Sequence, residues 1–348
     1  MGKPPIEPED TIAVLGAGVW GTALAVTLAR RGRPTRLWGA DEARMARLAH
    51  ERTHSRALPG VVFPANLVIE SDLARAASGA TGLLIAVPSG AFRALLQALP
   101  PGARRVPIIA WASKGLEPGS HKRLSEVVGE VLPDHPPTLL TGPSFASEVA
   151  ADLPTALTVA ARDPQRGERV ASWLRGERLR VYTTDDIVGA EIGGAVKNVL
   201  AIAVGISDGL GFGANARAAL ITRGLAELLR LGLALGARPE TLMGLSGVGD
   251  LVLTCTDDLS RNRRVGLGLA RGRALADILG ELGQAAEGVA SAREVRALAR
   301  AQGIEMPISE QVYEVLFARR TPQDAVTALL SREARTEGEL SAPVTTLS

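Results

Sequence analysis

Apolar residues follow two different patterns along the chain. Up to about residue 185, short and continuously apolar runs alternate with longer stretches of helical periodicity. The apolar runs predict strands at 11–16, 35–39, 81–90, 106–115, 137–145, 154–162 and 179–184. Continuously apolar strands separated by helices are typical of a parallel sheet covered on both faces. The first part of the chain is therefore expected to be a doubly wound α/β domain.

Beyond residue 190 the strand pattern stops and helical periodicity takes over. Helices are predicted at 194–206, 215–236, 239–245, 260–271, 274–280, 289–302 and 307–318. We therefore divide the chain into a sheet domain of residues 1–190, an all-helical C-terminal domain of residues 191–335 and a polar C-terminal tail of residues 336–348.

A glycine motif directly follows the first predicted strand. Gly16, Gly18 and Gly21 form a G-x-G-x-x-G pattern that opens a helix. In this setting the first glycine permits a tight turn, the second lets a pyrophosphate approach the backbone, and the third lets helix and strand pack closely. The free N–H groups at the helix start also favour a phosphate. The motif, which includes Val19 and Trp20, predicts a Rossmann-type dinucleotide site.

The residues after the second strand leave the choice between NAD and NADP open. Asp41 lies where an acid can hold the ribose 2′-hydroxyl of NAD, but it can equally cap the next helix. No basic residue lies between Trp38 and Asp41 to hold a 2′-phosphate, although Arg44 could reach that place. We therefore expect NAD or NADP as the cofactor, without a stated preference.

The stretch EIGGAVKNVLAIAVG, residues 191–205, places one lysine in an otherwise apolar helix. No acid shares the helical face of Lys197. Burial lowers a lysine pKa, and such a lysine can exchange a proton with a substrate hydroxyl. We interpret Lys197 as a proton donor and acceptor, with Gly193 and Gly194 leaving room for a ligand. The alternative is a lysine that extends past the apolar face to solvent.

Loops that follow strands carry further candidates, because open α/β sheets bind ligands at the carboxyl ends of their strands. Lys114 comes directly after a predicted strand, and a solvated surface lysine is the alternative there. Gly142, Ser144 and Ala146 lie in a turn that leads into a helix.

Two segments of the helical part add an acid and a set of hydrogen-bond donors. Asp250 is a single acid between a glycine turn and an apolar run, and it could orient Lys197 and compensate its charge. Ser260, Arg261 and Asn262 offer successive donors suited to a phosphate. A solvated basic patch or a nucleic-acid contact is the alternative, but neighbouring acids and the lack of aromatic residues argue against nucleic acid.

Composition narrows the classes of function. The 39 basic and 37 acidic residues nearly balance, so the charge does not indicate a nucleic acid or an acidic membrane as partner. The single cysteine, Cys255, excludes an internal disulfide and fits a reducing compartment. The longest apolar run, near 199–206, is too short to span a bilayer. We expect a soluble cytoplasmic protein with no transmembrane segment and no metal site.

Several blocks of sequence resemble bacterial-type NAD(P)-dependent glycerol-3-phosphate dehydrogenases. They are GAGVWGTALA, WASKGLE, GPSFASEVA, GGAVKNVLAIAVGISDGLGFGANARAALITRGLAE, GVGDLVLTCTDDLSRNRRVG and EMPISEQVYEVL. The resemblance implies reversible hydride transfer that reduces dihydroxyacetone phosphate to sn-glycerol 3-phosphate for phospholipid synthesis. It also implies NAD or NADP as cofactor and a homodimer.

The resemblance further implies roles for individual residues. Lys197 is similar to the proton donor and acceptor of the family, Lys114 to the lysine that contacts substrate and cofactor, and Asp250 to the orienting acid. Candidate substrate-binding residues are Lys114, Gly142, Ser144, Lys197, Asn198, Asp250, Thr254, Ser260, Arg261 and Asn262. Candidate cofactor contacts are Gly16, Gly18, Val19, Trp20, Gly21, Lys114, Ala146, Arg261, Ala285 and Glu287.

The chain departs from the family pattern at three positions, and two other functions stay open. Trp20 stands where a tyrosine or phenylalanine is common, Ala40 stands where many members carry a basic side chain or histidine, and Ala285 replaces a larger aliphatic residue. One alternative is a reductase of the same architecture that acts on another small hydroxy acid, which needs no phosphate-binding run. The other is a non-catalytic dinucleotide sensor, which has no need of Lys114, Lys197 and Asp250 together.

Overall fold

The computed structural model describes residues 10–55, 57–283 and 286–331. Within these residues the chain forms two compact units. The first, the sheet unit, runs up to Ser113 and adds Val127–Leu140 and Ser144–Asp185. The second, the helical unit, contains Lys114–Glu126, Thr141–Pro143 and the residues from Asp186 onward. Two short segments from the first half of the sequence, one carrying Lys114 and one carrying Gly142, thus belong to the helical unit.

The sheet has eight strands within the described residues. They are β1 (Ile12–Leu15), β2 (Thr35–Trp38), β3 (Leu67–Glu70), β4 (Gly82–Ile85), β5 (Ile108–Trp111), β6 (Thr138–Thr141), β7 (Thr155–Ala161) and β8 (Leu179–Thr184). Their order is β3-β2-β1-β4-β5-β6-β7-β8, and β1 runs parallel to both β2 and β4. Successive strands are added on one side of β1 up to β3 and on its other side from β4 onward, as in a doubly wound Rossmann-type sheet. The predicted fold class is confirmed.

The edge strand β3 is the one that the sequence analysis missed. Its four residues, LVIE, are only partly buried, and Val68 is 51% exposed. Its apolar run, LVI, is only three residues long, shorter than the runs that mark the central strands β1, β4 and β5.

Helices connect the strands and cover the sheet. They are α1 (Val19–Arg30), α2 (Glu42–Glu51), α3 (Leu73–Ala77), α4 (Ser89–Ala98), α5 (Leu124–Val131), α6 (Ala146–Ala150) and α7 (Pro164–Leu174), with a short 3₁₀ turn at Ala103–Arg105. Asp41, Asp72 and Asp163 directly precede α2, α3 and α7 as their N-cap residues, and each carboxylate accepts a backbone N–H of the first turn. These caps satisfy donors that have no partner within the helix.

The helical unit is built around one long buried helix. Its helices are α8 (Ile187–Gly209), α9 (Gly213–Ala234), α10 (Pro239–Leu242), α11 (Asp250–Thr256), α12 (Arg261–Ala270), α13 (Leu275–Leu282), α14 (Glu287–Ala301), α15 (Pro307–Phe317) and α16 (Pro322–Leu330). A π-helical turn at Leu245–Gly249 precedes α11. Helices α9, α11, α12, α14 and α15 all pack on α8, which explains why its sequence is apolar on nearly every side.

Glycines let two of these helices approach at backbone distance. A Cβ atom added at Gly205 of α8 would lie 2.1 Å from the carbonyl oxygen of Arg263, and one at Gly266 of α12 would lie 2.2 Å from that of Ile202. Gly193 serves the same purpose, because its Cβ would lie 2.1 Å from the carbonyl oxygen of Ser246. The interpretation of Gly193 as room for a ligand is therefore wrong: backbone fills that space.

Helix α8 is also the only helix in the described part of the chain that is long and apolar enough to cross a membrane. The mean hydropathy of its most apolar window is 1.6, and 94% of that window is buried inside the protein. A core helix passes the same test of length and composition, so this is weak evidence for a membrane span.

Candidate active site

Lys197 lies in the middle of α8 and is buried, with 6% of its surface exposed. Its Nζ donates to Asp250 Oδ1 at 2.5 Å and to Thr254 Oγ1 at 3.0 Å. Asp250 is the first residue of α11, and the Thr254 hydroxyl, one turn later, donates to the Asp250 carbonyl oxygen at 2.6 Å. The partner that α8 itself does not provide thus comes from a helix that begins fifty-three residues later.

A second lysine shares the same carboxylate. Lys114 Nζ donates to Asp250 Oδ2 at 2.7 Å and to the carbonyl oxygen of Gly142 at 3.1 Å. Each oxygen of Asp250 therefore accepts from a different ammonium group, and the carboxylate itself is almost fully buried. We call these three residues the Lys–Asp–Lys cluster. With both lysines protonated it has a net charge of +1, which favours an anionic or negatively polarised ligand.

Burial and charge act in opposite directions on these groups. Burial lowers the pKa of Lys197 and the Lys114 charge lowers it further, while Asp250 raises it, and the result is about 8. Burial alone would raise the pKa of Asp250, but the two lysines outweigh it and hold that pKa below its ordinary value. Asp250 therefore stays ionised, and Lys197 can gain or lose a proton near neutral pH.

The π-helical turn at Leu245–Gly249 determines where Asp250 begins α11. A Cβ atom at Gly247 would lie 1.8 Å from the carbonyl oxygen of Leu242, so only glycine lets the chain turn back this tightly. The same turn places Ser246 against Gly193 of α8. Such π-helical insertions often mark functional sites, and here the turn leads directly into the acid that holds both lysines.

The predicted phosphate-binding run lies at the start of α12. Ser260 caps this helix, its hydroxyl oxygen accepting from the Arg263 N–H at 3.2 Å. Asn262 links three helices, since it donates to Asn198 Oδ1 and accepts from the Gly288 N–H, both at 2.9 Å. The run therefore also has a structural role, which its sequence did not suggest for Asn262.

The start of α14 contributes an acid near this group of cations. Burial raises the pKa of Glu287, while the positive charges of Arg261, Lys114 and Lys197 lower it in part. The charge of Arg261 therefore acts close to the first residue of α14. The other candidate of this segment, Ala285, lies outside the described residues.

The glycine motif of the sheet unit combines two tightly packed glycines with an open backbone position between them. Gly16 has φ +127°, and a Cβ there would lie 2.6 Å from the Ala86 carbonyl oxygen. A Cβ at Gly21 would lie 1.9 Å from the Gly16 carbonyl oxygen, whereas nothing lies within 4 Å of one at Gly18. Helix α1 begins at Val19 without a side-chain cap. The open backbone at Gly18 and the uncapped helix start fit a dinucleotide pyrophosphate.

The other candidate residues of the sheet unit have more varied surroundings. The indole Nε1 of Trp20 is buried and has no hydrogen-bond partner within the described residues. Asp41 caps α2 by accepting from the Arg44 N–H at 2.9 Å, which is the structural alternative considered for it. Ser144 and Ala146 belong to the sheet unit, where Ala146 is the first residue of α6.

Sequence reasoning missed two buried acids of the helical unit. Glu191 accepts from the N–H and hydroxyl of Ser125 at 2.7 and 2.6 Å, and Glu227 accepts from the Ser309 N–H and hydroxyl at 3.1 and 2.9 Å. Burial raises the pKa of each to about 7 despite these bonds. The available signal was a single charged residue within an apolar helical run, the same kind of signal that marked Lys197.

Comparison with known proteins gives a consistent result over almost the whole chain. Sequence models of the N-terminal and C-terminal parts of NAD-dependent glycerol-3-phosphate dehydrogenase match residues 11–167 and 186–327. A glycerol-3-phosphate dehydrogenase of Thioalkalivibrio sulfidiphilus, NAD(P)+-linked by name, is 54% identical over 97% of this chain and all of its own length. One from Methylococcus capsulatus is 53% identical over 94% of this chain and 98% of its own.

A solved structure agrees with this result. The crystal structure of glycerol-3-phosphate dehydrogenase from Coxiella burnetii has a TM-score of 0.90 with this chain and is 47% identical to it. The match covers 93% of this chain and 99% of that one.

Proposed function

This chain is a member of the NAD-dependent glycerol-3-phosphate dehydrogenase family, and we propose that it interconverts dihydroxyacetone phosphate and sn-glycerol 3-phosphate with NAD or NADP. The observation that carries the proposal is the Lys–Asp–Lys cluster, in which a buried carboxylate holds two ammonium groups. A non-catalytic dinucleotide sensor would gain nothing from this costly burial of charge.

The glycine motif is the proposed binding place of the dinucleotide. Gly18 and the first N–H groups of α1 would hold its pyrophosphate, for the steric reasons given above. When bound, the nicotinamide supplies or accepts the hydride of the reaction.

Lys197 is the proposed acid and base. In ketone reduction its ammonium group gives a proton to the substrate oxygen, and in alcohol oxidation its neutral amine takes that proton back. The pKa of about 8 makes both forms accessible near neutral pH. Asp250 fixes the position of the amine, and Thr254 Oγ1 fixes it from a second direction.

Lys114 is proposed to stabilise the charge on the same oxygen. Its Nζ is bound to Asp250 and to the Gly142 carbonyl, so it is already oriented before substrate arrives. A preoriented positive group stabilises developing negative charge without reorganisation during the reaction.

The start of α12 is the proposed site for the substrate phosphate. Arg261 offers the charged, forked donor set that suits a phosphate, and the Ser260 hydroxyl and Asn262 amide retain donor hydrogens beside it. This run favours a phosphorylated substrate over the alternative of another small hydroxy acid.

Three wider statements belong to the proposal as well. Glycerol 3-phosphate made by such an enzyme would serve phospholipid synthesis, and a cytoplasmic location fits the lone, unpaired Cys255. A homodimer stays a prediction from the family resemblance.

The test of the proposal follows the nicotinamide absorbance of NADH and NADPH in parallel with dihydroxyacetone phosphate. Oxidation of at least one cofactor with formation of sn-glycerol 3-phosphate is expected. Unphosphorylated dihydroxyacetone and a panel of small 2-keto acids serve as controls. No oxidation with dihydroxyacetone phosphate, or faster oxidation with a keto acid, would refute the proposal.

A further inference from the structure

The segment after β2 carries a pair of basic side chains to which the proposed reaction gives no role. Arg44 lies in the first turn of α2, and His54 lies in the turn that follows this helix. Arg44 Nη2 and His54 Nε2 are 2.9 Å apart. Two basic groups do not attract each other as charges, so their contact requires the imidazole to be neutral and to accept from the guanidinium.

The surroundings of Gly39 place this pair beside the dinucleotide site. Gly39 lies between β2 and α2, and a Cβ added there would be 2.9 Å from Ala17 Cβ and 2.8 Å from Met45 Sδ. Ala17 belongs to the glycine motif, and Met45 follows Arg44 in α2. The first turn of α2 therefore packs against the glycine turn. In Rossmann-type folds the ribose 2′ position of the cofactor is recognised in this region.

The acid of this region has another role. Asp41 accepts the Arg44 backbone N–H at 2.9 Å and so completes the first turn of α2. Its position is fixed by the helix start whether or not a ribose is present. The Arg44 guanidinium is then the group in this turn whose charge and forked geometry suit a phosphate.

His54 is held firmly enough to direct the arginine. Its carbonyl oxygen accepts from the N–H groups of Ala57 and Leu58 at 3.0 and 2.8 Å. The neighbouring Thr53 hydroxyl donates to the Val61 carbonyl oxygen at 2.9 Å. Burial and the Arg44 charge lower the pKa of His54, while Glu51 raises it in part. The imidazole is therefore neutral at pH 7 and can accept from Arg44.

We propose that Arg44, positioned by His54, binds the 2′-phosphate of NADP, so that this chain binds NADPH more tightly than NADH. The inference rests on the proposed function, since it takes the glycine motif to hold a nicotinamide dinucleotide. Arg44 contacts the phosphate, whereas His54 is a positioning residue that acts through Arg44. The anchor thus lies in the helix, in place of the missing basic residue between Trp38 and Asp41.

Calorimetric titration of the purified protein with NADPH and with NADH tests the anchor without relying on turnover. Arg44→Gln should weaken NADPH binding by about 10- to 100-fold, the loss of one or two charge-assisted hydrogen bonds, and change NADH binding by less than about threefold. Equal losses for both ligands, or no loss for NADPH, would overturn the inference.

Arg162→Gln is the matched control. Arg162 is exposed in the same unit and follows β7, five strands from β2, or roughly 24 Å across the sheet. The substitution removes one positive charge at the same end of the sheet but far from the proposed site. It should therefore leave the ratio of the NADPH and NADH affinities unchanged. A change in that ratio as large as for Arg44→Gln would show a general charge effect and overturn the assignment.

Two variants of His54 test the positioning role. His54→Leu removes the acceptor and should weaken NADPH binding by about 3- to 10-fold, whereas His54→Gln keeps an acceptor oxygen and should restore much of it. Unchanged NADPH binding in His54→Leu would contradict the role of His54. If the wild-type protein bound neither NADPH nor NADH, the proposed function would fail together with this inference, a result distinct from binding without preference.

Discussion

The buried ammonium group of Lys197 has an environment that only the folded chain creates. The sequence showed an isolated lysine on an apolar face, and that was enough to suggest an unusual pKa. The sequence alone could not show that Asp250 binds Lys197 through one carboxylate oxygen and Lys114 through the other. The pKa of about 8 results from three effects: burial lowers it, the Asp250 carboxylate raises it, and the Lys114 charge lowers it. Asp250 and Lys114 come from segments of the chain far from Lys197.

Replacing the proposed proton donor tests its role directly. Lys197→Met keeps most of the side-chain volume but removes the amine, so turnover with dihydroxyacetone phosphate should fall by about a thousandfold or more, the usual range for a lost acid and base. Cofactor affinity, measured by calorimetry, should stay within about threefold. Lys122→Met, which replaces another lysine of the helical unit, is the control. Near-normal turnover in Lys197→Met would rule out the assignment of Lys197 as proton donor.

Replacing the proposed phosphate ligand should affect one kind of substrate. Arg261→Ala should raise KM for dihydroxyacetone phosphate by about 10- to 100-fold, because a charge-assisted bond to the phosphate is lost. The change for unphosphorylated dihydroxyacetone should be small. Steady-state kinetics with both substrates provides the measurement, and the exposed Arg264→Ala, one turn along α12, is the control. Similar KM changes for both substrates would argue against a phosphate site here.

Among the elements, α8 contains two adjacent glycines, Gly193 and Gly194, whose surroundings differ. A Cβ at Gly193 would overlap the Ser246 carbonyl oxygen, at 2.1 Å, whereas the nearest atoms to a Cβ at Gly194 are Lys114 Cγ and Thr141 Oγ1, both at 3.6 Å. The first distance forces backbone to move, and the second is ordinary van der Waals contact. The sequence shows two adjacent glycines and cannot distinguish them, because their difference lies in what other segments place opposite.

The two glycines should therefore respond differently to alanine. Gly193→Ala should lower the free energy of unfolding by about 1–3 kcal/mol or more, since α8 must separate from the π-helical turn. Gly194→Ala should be neutral or stabilising by up to about 1 kcal/mol, through better helix propensity. Urea unfolding of both variants measures this. Equal destabilisation would show that the packing of α8 on this turn is not as described.

Glu227 provides a second element-scale test, because it stabilises the start of α15. Its carboxylate accepts from the N–H groups of Ile308 and Ser309, yet burial raises its pKa from 4.5 to about 7. Between pH 4.5, the pKa in the unfolded state, and about 7, the pKa in the folded state, the folded protein therefore binds more protons than the unfolded one. Stability from this group is thus complete below pH 4.5 and is lost as the pH rises through about 7.

Glu227→Gln removes this titration while keeping an acceptor oxygen. Relative to the variant, the wild-type protein should lose roughly 2 kcal/mol of unfolding free energy between pH 5 and pH 8. Chemical unfolding at both pH values measures the difference, and the exposed Glu240→Gln controls for the loss of one carboxylate. A difference that is independent of pH would mean that Glu227 does not titrate as described.

At the scale of the whole molecule, the sequence predicted the architecture better than its details. Apolar runs and helical periodicity indicated the α/β sheet and the helical part, because burial on both faces leaves a strong pattern. The edge strand β3 left only a short apolar run of three residues. The patterns also could not show that Lys114 and Gly142 belong to the helical unit, since such membership depends on long-range contacts. The helix-linking role of Asn262 was hidden for the same reason.

Lys197, held by Asp250 beside a second lysine, is the group proposed to exchange the substrate proton. The most direct test is the pH dependence of the chemical step, measured in single turnovers in both directions with wild-type protein. The rate of dihydroxyacetone phosphate reduction should fall as the pH rises through about 8, because Lys197 must carry the proton it gives. The rate of sn-glycerol 3-phosphate oxidation should rise through the same pH, because Lys197 must then be neutral. Two profiles that are flat across this range, or that change in the same direction, would contradict the role of Lys197 as proton donor and acceptor.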